Sequence, residues 1–131
     1  MTKSTFVIDV DGTICLAKEI KETKKFDYVN ATPINHVIEK IRKLKAEGHS
    51  IVLHTSRGMK TYEGNVNLIN EFVRPVMEKW LETHEVPYDK LVLGKPWGPN
   101  VYYIDDRCLS PLQFAYNNEY QNIIKTNITT L

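Results

Sequence analysis

Phe6-Val-Ile-Asp-Val-Asp-Gly-Thr13 is the stretch that decides how this chain reads. From Thr5 to Val10 the run is apolar and β-branched apart from Asp9, the pattern of a strand covered on both faces, as in parallel sheets. It ends on two carboxylates, Asp9 and Asp11. Desolvating an unpaired carboxylate is costly or forces it neutral, so a pair held together calls for a cation or a shared proton. The economical reading is a metal-assisted catalytic site. A calcium loop is excluded, because it needs Asp or Asn at its fifth position and Glu at its twelfth, where this chain has Thr13 and Ile20.

Working outward, residues 14–31 are mixed and charged (Lys18, Glu19, Lys21, Glu22, Lys24, Lys25) and read as a solvated loop or hairpin. Thr32-Pro33 reads as an N-cap with proline in the first turn, followed by Ile34, Val37, Ile38, Ile41 and Leu44 at helical spacing and Gly48 as the stop. Ser50–Thr55 is a second strand, closed by the turn Ser56-Arg57-Gly58, and completes a βαβ unit with a right-handed crossover. A broad apolar stripe from Asn65 to His84 predicts helix with a break at Pro75. Lys90–Gly94 and Val101–Asp105 read as third and fourth strands, and Ser110-Pro111 opens a short helix through Tyr116. The tail from Asn117 is open between a weak helix, an edge strand and a subunit contact. The fold class expected is α/β: one Rossmann-like three-layer domain over 1–131, with a mostly parallel sheet and no folded cap.

Composition narrows the function. Lys plus Arg number 17 against 16 Asp plus Glu, a formal charge of +1, so no long-range field draws in nucleic acid or anionic membrane. Cys15 and Cys108 lack the spacing of a zinc or redox pair and read as small apolar filler. The N-terminal apolar stretch is too short for a signal peptide or membrane span, which sets a cytoplasmic expectation.

Ligands of open α/β sheets sit beyond the carboxyl ends of the strands. There the expected elements place Asp9 and Asp11, Thr55, Lys95, and Asp105 with Asp106. Three acids from two strands suit a hard cation, Mg2+, which keeps positions open for water and phosphate. A hydroxyl, an ammonium and a metal around one point suit phosphoryl transfer.

At these residues the chain resembles the haloacid dehalogenase superfamily, whose four motifs match Asp9-Val-Asp-Gly-Thr13, Thr55, Gly94-Lys95-Pro96 and Ile104-Asp-Asp106 in order. More narrowly, His54–Asn65, Gly94-Lys-Pro-Trp-Gly98 and Tyr103-Ile-Asp-Asp-Arg107 resemble small phosphatases associated with capsule biosynthesis. The resemblance implies Asp9 as nucleophile, Asp11 as general acid and base, Thr55 as a phosphoryl hydrogen-bond donor and Lys95 as its counter-charge. It implies a Mg2+ shell from Asp9, the Asp11 carbonyl, Asp105 and Asp106. An acid at position 11 sets the chain apart from the superfamily's dehalogenases and transport ATPases. Insertions 14–31 and 58–64 are too short for a cap, so the site should be open, with 14–31 at most a flap.

Gly12, Ser56 and Arg57 are substrate-contact candidates, Arg57 reading equally as a solvated loop residue. His54, Tyr62, Glu63, Asn65 and Trp97 are specificity candidates, whereas His36, His49 and His84 are read as non-catalytic. The resulting expectation is a Mg2+-dependent phosphomonoesterase acting on a small phosphorylated sugar or surface-polysaccharide precursor. The competing readings are a nucleotide or polynucleotide-end phosphatase, disfavoured by the near-neutral charge, and a non-catalytic phosphate-binding module. Whether the chain forms a homo-oligomer is left open.

Overall fold

The computed structural model describes residues 3–129. Its central sheet is parallel and runs β1 (Thr5–Ile8), β6 (Ser50–His54), β7 (Lys90–Val92) in that spatial order. Between β1 and β6 lie four two-residue strands: β2 (Cys15–Leu16), β3 (Glu19–Ile20), β4 (Lys25–Phe26) and β5 (Thr32–Pro33). The hairpin expected within 14–31 is β3 with β4, paired Glu19 to Phe26 and Ile20 to Lys25. The second ladder, Cys15 with Pro33 and Leu16 with Thr32, corrects the expected cap. Thr32 and Pro33 spend their backbone in that ladder, so helix α1 (Asn35–Ala46) starts later, at Ile34, with no side-chain cap. Ile34 N–H donates instead to the Ile14 carbonyl at 2.7 Å.

Helix α1 buries Val37, Ile38, Ile41 and Leu44, as its apolar spacing requires. The long stripe divides where Pro75 demands: α2 (Val66–Phe72) is capped by the Asn65 side chain, and α3 (Arg74–Thr83) holds Pro75 in its first turn. Met77, Trp80 and Leu81 of α3 join the core, and the Trp80 indole donates to the Ala31 carbonyl at 3.0 Å, pinning the base of the 15–33 excursion. Helix α4 (Pro111–Tyr116) carries the expected cap as a full capping box of Ser110 and Gln113. The tail resolves as helix α5 (Tyr120–Thr129). Lys40 of α1 anchors the joint between α4 and α5, reaching the Asn117 carbonyl at 3.0 Å and the Asn118 side chain at 2.5 Å.

The sheet has one packed face and one open face. Parallel register places Phe6, Ile8, Ile51, Leu53 and Leu91 on one side, where they meet the core formed with α1, α3 and α4. Val7, Val52 and Val92 occupy the other, and Val7 is 64% exposed. The two-faced cover expected of β1 is therefore met on one face only.

The expected fourth strand does not form: Val101–Asp105 pairs with no strand among the described residues, and Ile104 is 97% exposed. The link that precedes it is too short for a parallel crossover, which takes about a dozen residues or more. Cys108 lies in the same exposed segment and is solvent-facing rather than apolar filler, while Cys15 is buried as expected. His49 is buried and accepts the Ser4 N–H at 3.0 Å.

Tyr120 packs edge-on to Phe6 and donates to the Phe114 carbonyl at 3.0 Å. Burial, then the charge of Glu47, pushes its phenol up to about 12. The unfolded chain ionises this group near 10 and the folded one near 12, so its stabilising contribution is full below pH 10 and is lost as pH rises from 10 to 12. Tyr120→Phe is expected to flatten the alkaline arm of the unfolding free energy against pH, measured by urea titration at each pH.

Candidate functional site

The carboxyl ends of β1, β6 and β7 lie side by side at one edge of the parallel sheet. Immediately after β1 the chain turns at Gly12, whose φ of +86° favours glycine, and Thr13 and Ile14 N–H groups both donate to the Val10 carbonyl. That turn brings the Thr13 hydroxyl onto Asp9 Oδ2 at 3.1 Å. Lys95 arrives from beyond β7, where Gly94 at φ +87° bends the chain and Lys95 N–H donates to the Thr55 carbonyl at 3.1 Å. Its Nζ stands 3.4 Å from Asp9 Oδ1, a loose ion pair, and 4.5 Å from the centre of the Tyr103 ring. Thr55, at the tip of β6, is 1% exposed; its oxygen accepts the Arg57 N–H at 3.1 Å, which leaves its own proton free to donate.

Asp11 faces a different partner. Arg57 grips it with a two-pronged bond, Nε to Oδ2 at 2.9 Å and Nη2 to Oδ1 at 2.8 Å. The guanidinium is buried, stacked 4.1 Å from the centre of the Tyr28 ring, and its Nη1 has no hydrogen-bond partner among the described residues. Arg57 is thus not a solvated loop residue: it holds Asp11. The turn that aims it tolerates only glycine at position 58, where φ is +87° and an added Cβ would lie 2.8 Å from Val73 Cγ2. Neither Arg57 as an Asp11 partner nor Tyr28 beneath it was legible in the sequence. The one signal available was a glycine directly after an arginine at a strand end.

Cys15 Sγ lies 3.5 Å from Asp11 Oδ1 and 3.9 Å from Arg57 Nη2. Burial first, then the Asp11 charge, pushes the thiol up to about 12, so Cys15 is a protonated thiol and no nucleophile at neutral pH. Burial and then Lys95 lower the His54 pKa, partly offset by Asp9, keeping the imidazole neutral at pH 7.

The four expected metal donors are not assembled. Asp9 faces Thr13 and Lys95, and Asp105 turns back on its own chain to accept the Arg107 N–H at 2.8 Å; at position 11 the expected donor is the main-chain carbonyl, while the side chain is gripped by Arg57. Asp105 and Asp106 lie in the exposed segment after Gly98. Among the described residues no group of three or more His, Cys, Asp or Glu side chains is placed to hold a metal ion. The donor chemistry suits Mg2+, but the arrangement within one chain does not fit it. Ser56 and Gly12 sit on the turns at these strand ends, and Tyr62 stacks on Phe72 rather than standing free.

No helix among the described residues is long and apolar enough to cross a membrane. A family described as the polynucleotide kinase PNKP phosphatase domain matches residues 3–96. A crystal structure of a structural-genomics target from Vibrio cholerae is similar over 98% of each chain, at 38% sequence identity and a TM-score of 0.81. Among curated proteins no match is found. Spanning β1 through Lys95, the family match takes in the turn after Asp9 and the lysine that meets it, and by it this chain belongs to that phosphatase-domain family, within the haloacid dehalogenase superfamily.

Proposed function

We propose that the chain hydrolyses phosphomonoesters through a covalent aspartyl phosphate on Asp9, the reading carried by the placement of Asp9 between the Thr13 hydroxyl and the Lys95 ammonium. Asp9 attacks phosphorus as the ester P–O bond breaks, and Asp11 gives its proton to the departing oxygen. Water then attacks the phosphoenzyme and loses its proton to Asp11, which frees Asp9 and releases phosphate. Lys95 neutralises charge on the transferring group, and the Thr55 hydroxyl donates to it. The single-domain organisation over 1–131 and the flap role of 14–31 belong to this reading. So does Mg2+, which the superfamily generally uses, once Asp105 and Asp106 are brought to Asp9.

The substrate we assign is a small phosphorylated sugar or polysaccharide precursor handled in the cytoplasm, supported by the near-neutral charge and by the capsule-type motifs around Thr55 and Lys95. The family match favours a second reading, a phosphate at a polynucleotide end, because the matched domain is named for that substrate. Turnover of p-nitrophenyl phosphate with Mg2+ is expected. Its kcat/KM is then compared between hexose phosphates and a 3′-phosphorylated oligonucleotide at rising salt. A preference for the hexose phosphate by about tenfold or more supports the first reading. Salt-sensitive preference for the oligonucleotide replaces it with the second, and no turnover of any ester overturns both.

A further inference from the structure

We propose that the site is completed by a second copy of the chain: the segment Val101–Asp106 of one copy pairs as a parallel strand along the free edge of β1 of another and brings its Asp105 and Asp106 beside Asp9. The inference rests on the phosphatase reading only for what those carboxylates do; the pairing rests on two unpartnered surfaces. One is β1 itself. Its apolar run Phe6-Val7-Ile8 is written for a strand inside a sheet, yet among the described residues it has a neighbour on one side only, β6, and Val7 on the open face is 64% exposed. The other is Val101-Tyr-Tyr-Ile104, an equally apolar run with strand composition that joins no sheet among the described residues, with Tyr102 77% and Ile104 97% exposed.

Connection length decides between the chain's own segment and a second copy's. A parallel strand beside β1 must begin at the amino end of the sheet, so the chain leaving β7 has to pass β6 and β1 and return along their length. Lys95 N–H is still bonded to the Thr55 carbonyl at the carboxyl end of β6, which leaves Pro96–Asn100 as the whole connection. A parallel crossover takes about a dozen residues or more. Exchange between copies removes that constraint, because the connection then runs outward, and reciprocal exchange closes a two-fold dimer. A free edge at β7 would accept the segment equally well as backbone, but would leave its carboxylates about three strand spacings from Asp9, roughly 14 Å. Beside β1 they arrive about one spacing away, roughly 5 Å, with Lys95 present to offset their charge.

The full chain is first sized by light scattering, with Ile104→Asp beside it. Since Ile104 is almost fully exposed in a single copy, this substitution cannot damage that copy's core. A dimer for the wild type and a monomer for Ile104→Asp are expected; a monomeric wild type, or an Ile104→Asp dimer, overturns the proposal. Next, Asp9→Asn and the double variant Asp105→Asn/Asp106→Asn are unfolded together and refolded to reassort. Each alone is inactive, and the mixture should recover about one quarter of wild-type turnover, since random reassortment makes one site in four complete. No recovery above the parents overturns delivery between copies. Activity retained by Asp9→Asn alone overturns the phosphatase reading instead, and the sizing result still decides the strand exchange.

Discussion

Asp9→Asn is expected to lower kcat on p-nitrophenyl phosphate by at least about a thousandfold while leaving the melting temperature within about 2 °C of wild type. The amide keeps the shape of the carboxylate and one acceptor for the Thr13 hydroxyl, so the turn after β1 loses little. It removes the charge that meets Lys95, but that pair is 3.4 Å long and part-exposed, a geometry worth about 1 kcal/mol or less. What disappears is the nucleophile. An amide oxygen cannot form the acyl phosphate, so rapid-quench experiments with radiolabelled ester should trap a phosphoenzyme in the wild type and none in the variant. Full activity in Asp9→Asn would remove the covalent mechanism altogether.

Arg57→Leu should be the most damaging substitution for stability at the site, by about 2 kcal/mol, and should abolish most of the turnover. The guanidinium is 6% exposed, makes two short bonds to Asp11 and stacks on Tyr28, so leucine fills part of the volume and satisfies none of the charge. Asp11 then keeps, among the described residues, only the Cys15 thiol as a partner at its carboxylate. Its side chain is about one third exposed (34%), so water relieves part of the cost, and the loss falls below that of a fully buried broken pair. Arg57→Lys retains charge without the fork and should recover stability only in part. The double variant Arg57→Leu/Asp11→Asn should be more stable than Arg57→Leu, because the stranded charge is gone. Additive losses in that cycle would show that the pair contributes nothing as a pair.

The same Arg57–Asp11 grip bears on catalysis. A carboxylate held by two charge-assisted bonds is oriented, with both its oxygens engaged as acceptors. For Asp11 to give a proton to a leaving oxygen, one of those bonds must yield during the cycle. Substrate charge competing for Arg57 supplies a physical reason for it to do so, which would couple substrate binding to release of the acid.

How much of this was legible in the sequence differs by element. Helix α1, the Pro75 break, the Ser110 cap and strands β1, β6 and β7 follow from periodicity and cap chemistry that act over a few residues. Asp9, Thr55 and Lys95 lie together because each sits within a few residues of a strand end, and the topology gathers those ends. Thr32-Pro33 misled because the cap signal is local, whereas the ladder with Cys15–Leu16 that overrides it joins residues 16 and 18 apart through a segment of no distinctive composition. Val101–Asp105 misled for the opposite reason: its residues suit a strand, but a strand needs a neighbour, and the five residues after Lys95 do not reach one within the chain.

The sequence by itself determined the α/β order, the parallel strands and the position of Asp9 at the end of the first of them, because those depend on side-chain pattern and proximity along the chain. Only the tertiary structure decided which partner each charge meets. It gave Asp9 to Lys95 and Asp11 to Arg57, placed Tyr28 beneath that arginine, and left Asp105 and Asp106 on an exposed segment. Pairing between residues tens of positions apart is set by how packed elements bring them together, and no local pattern carries that information.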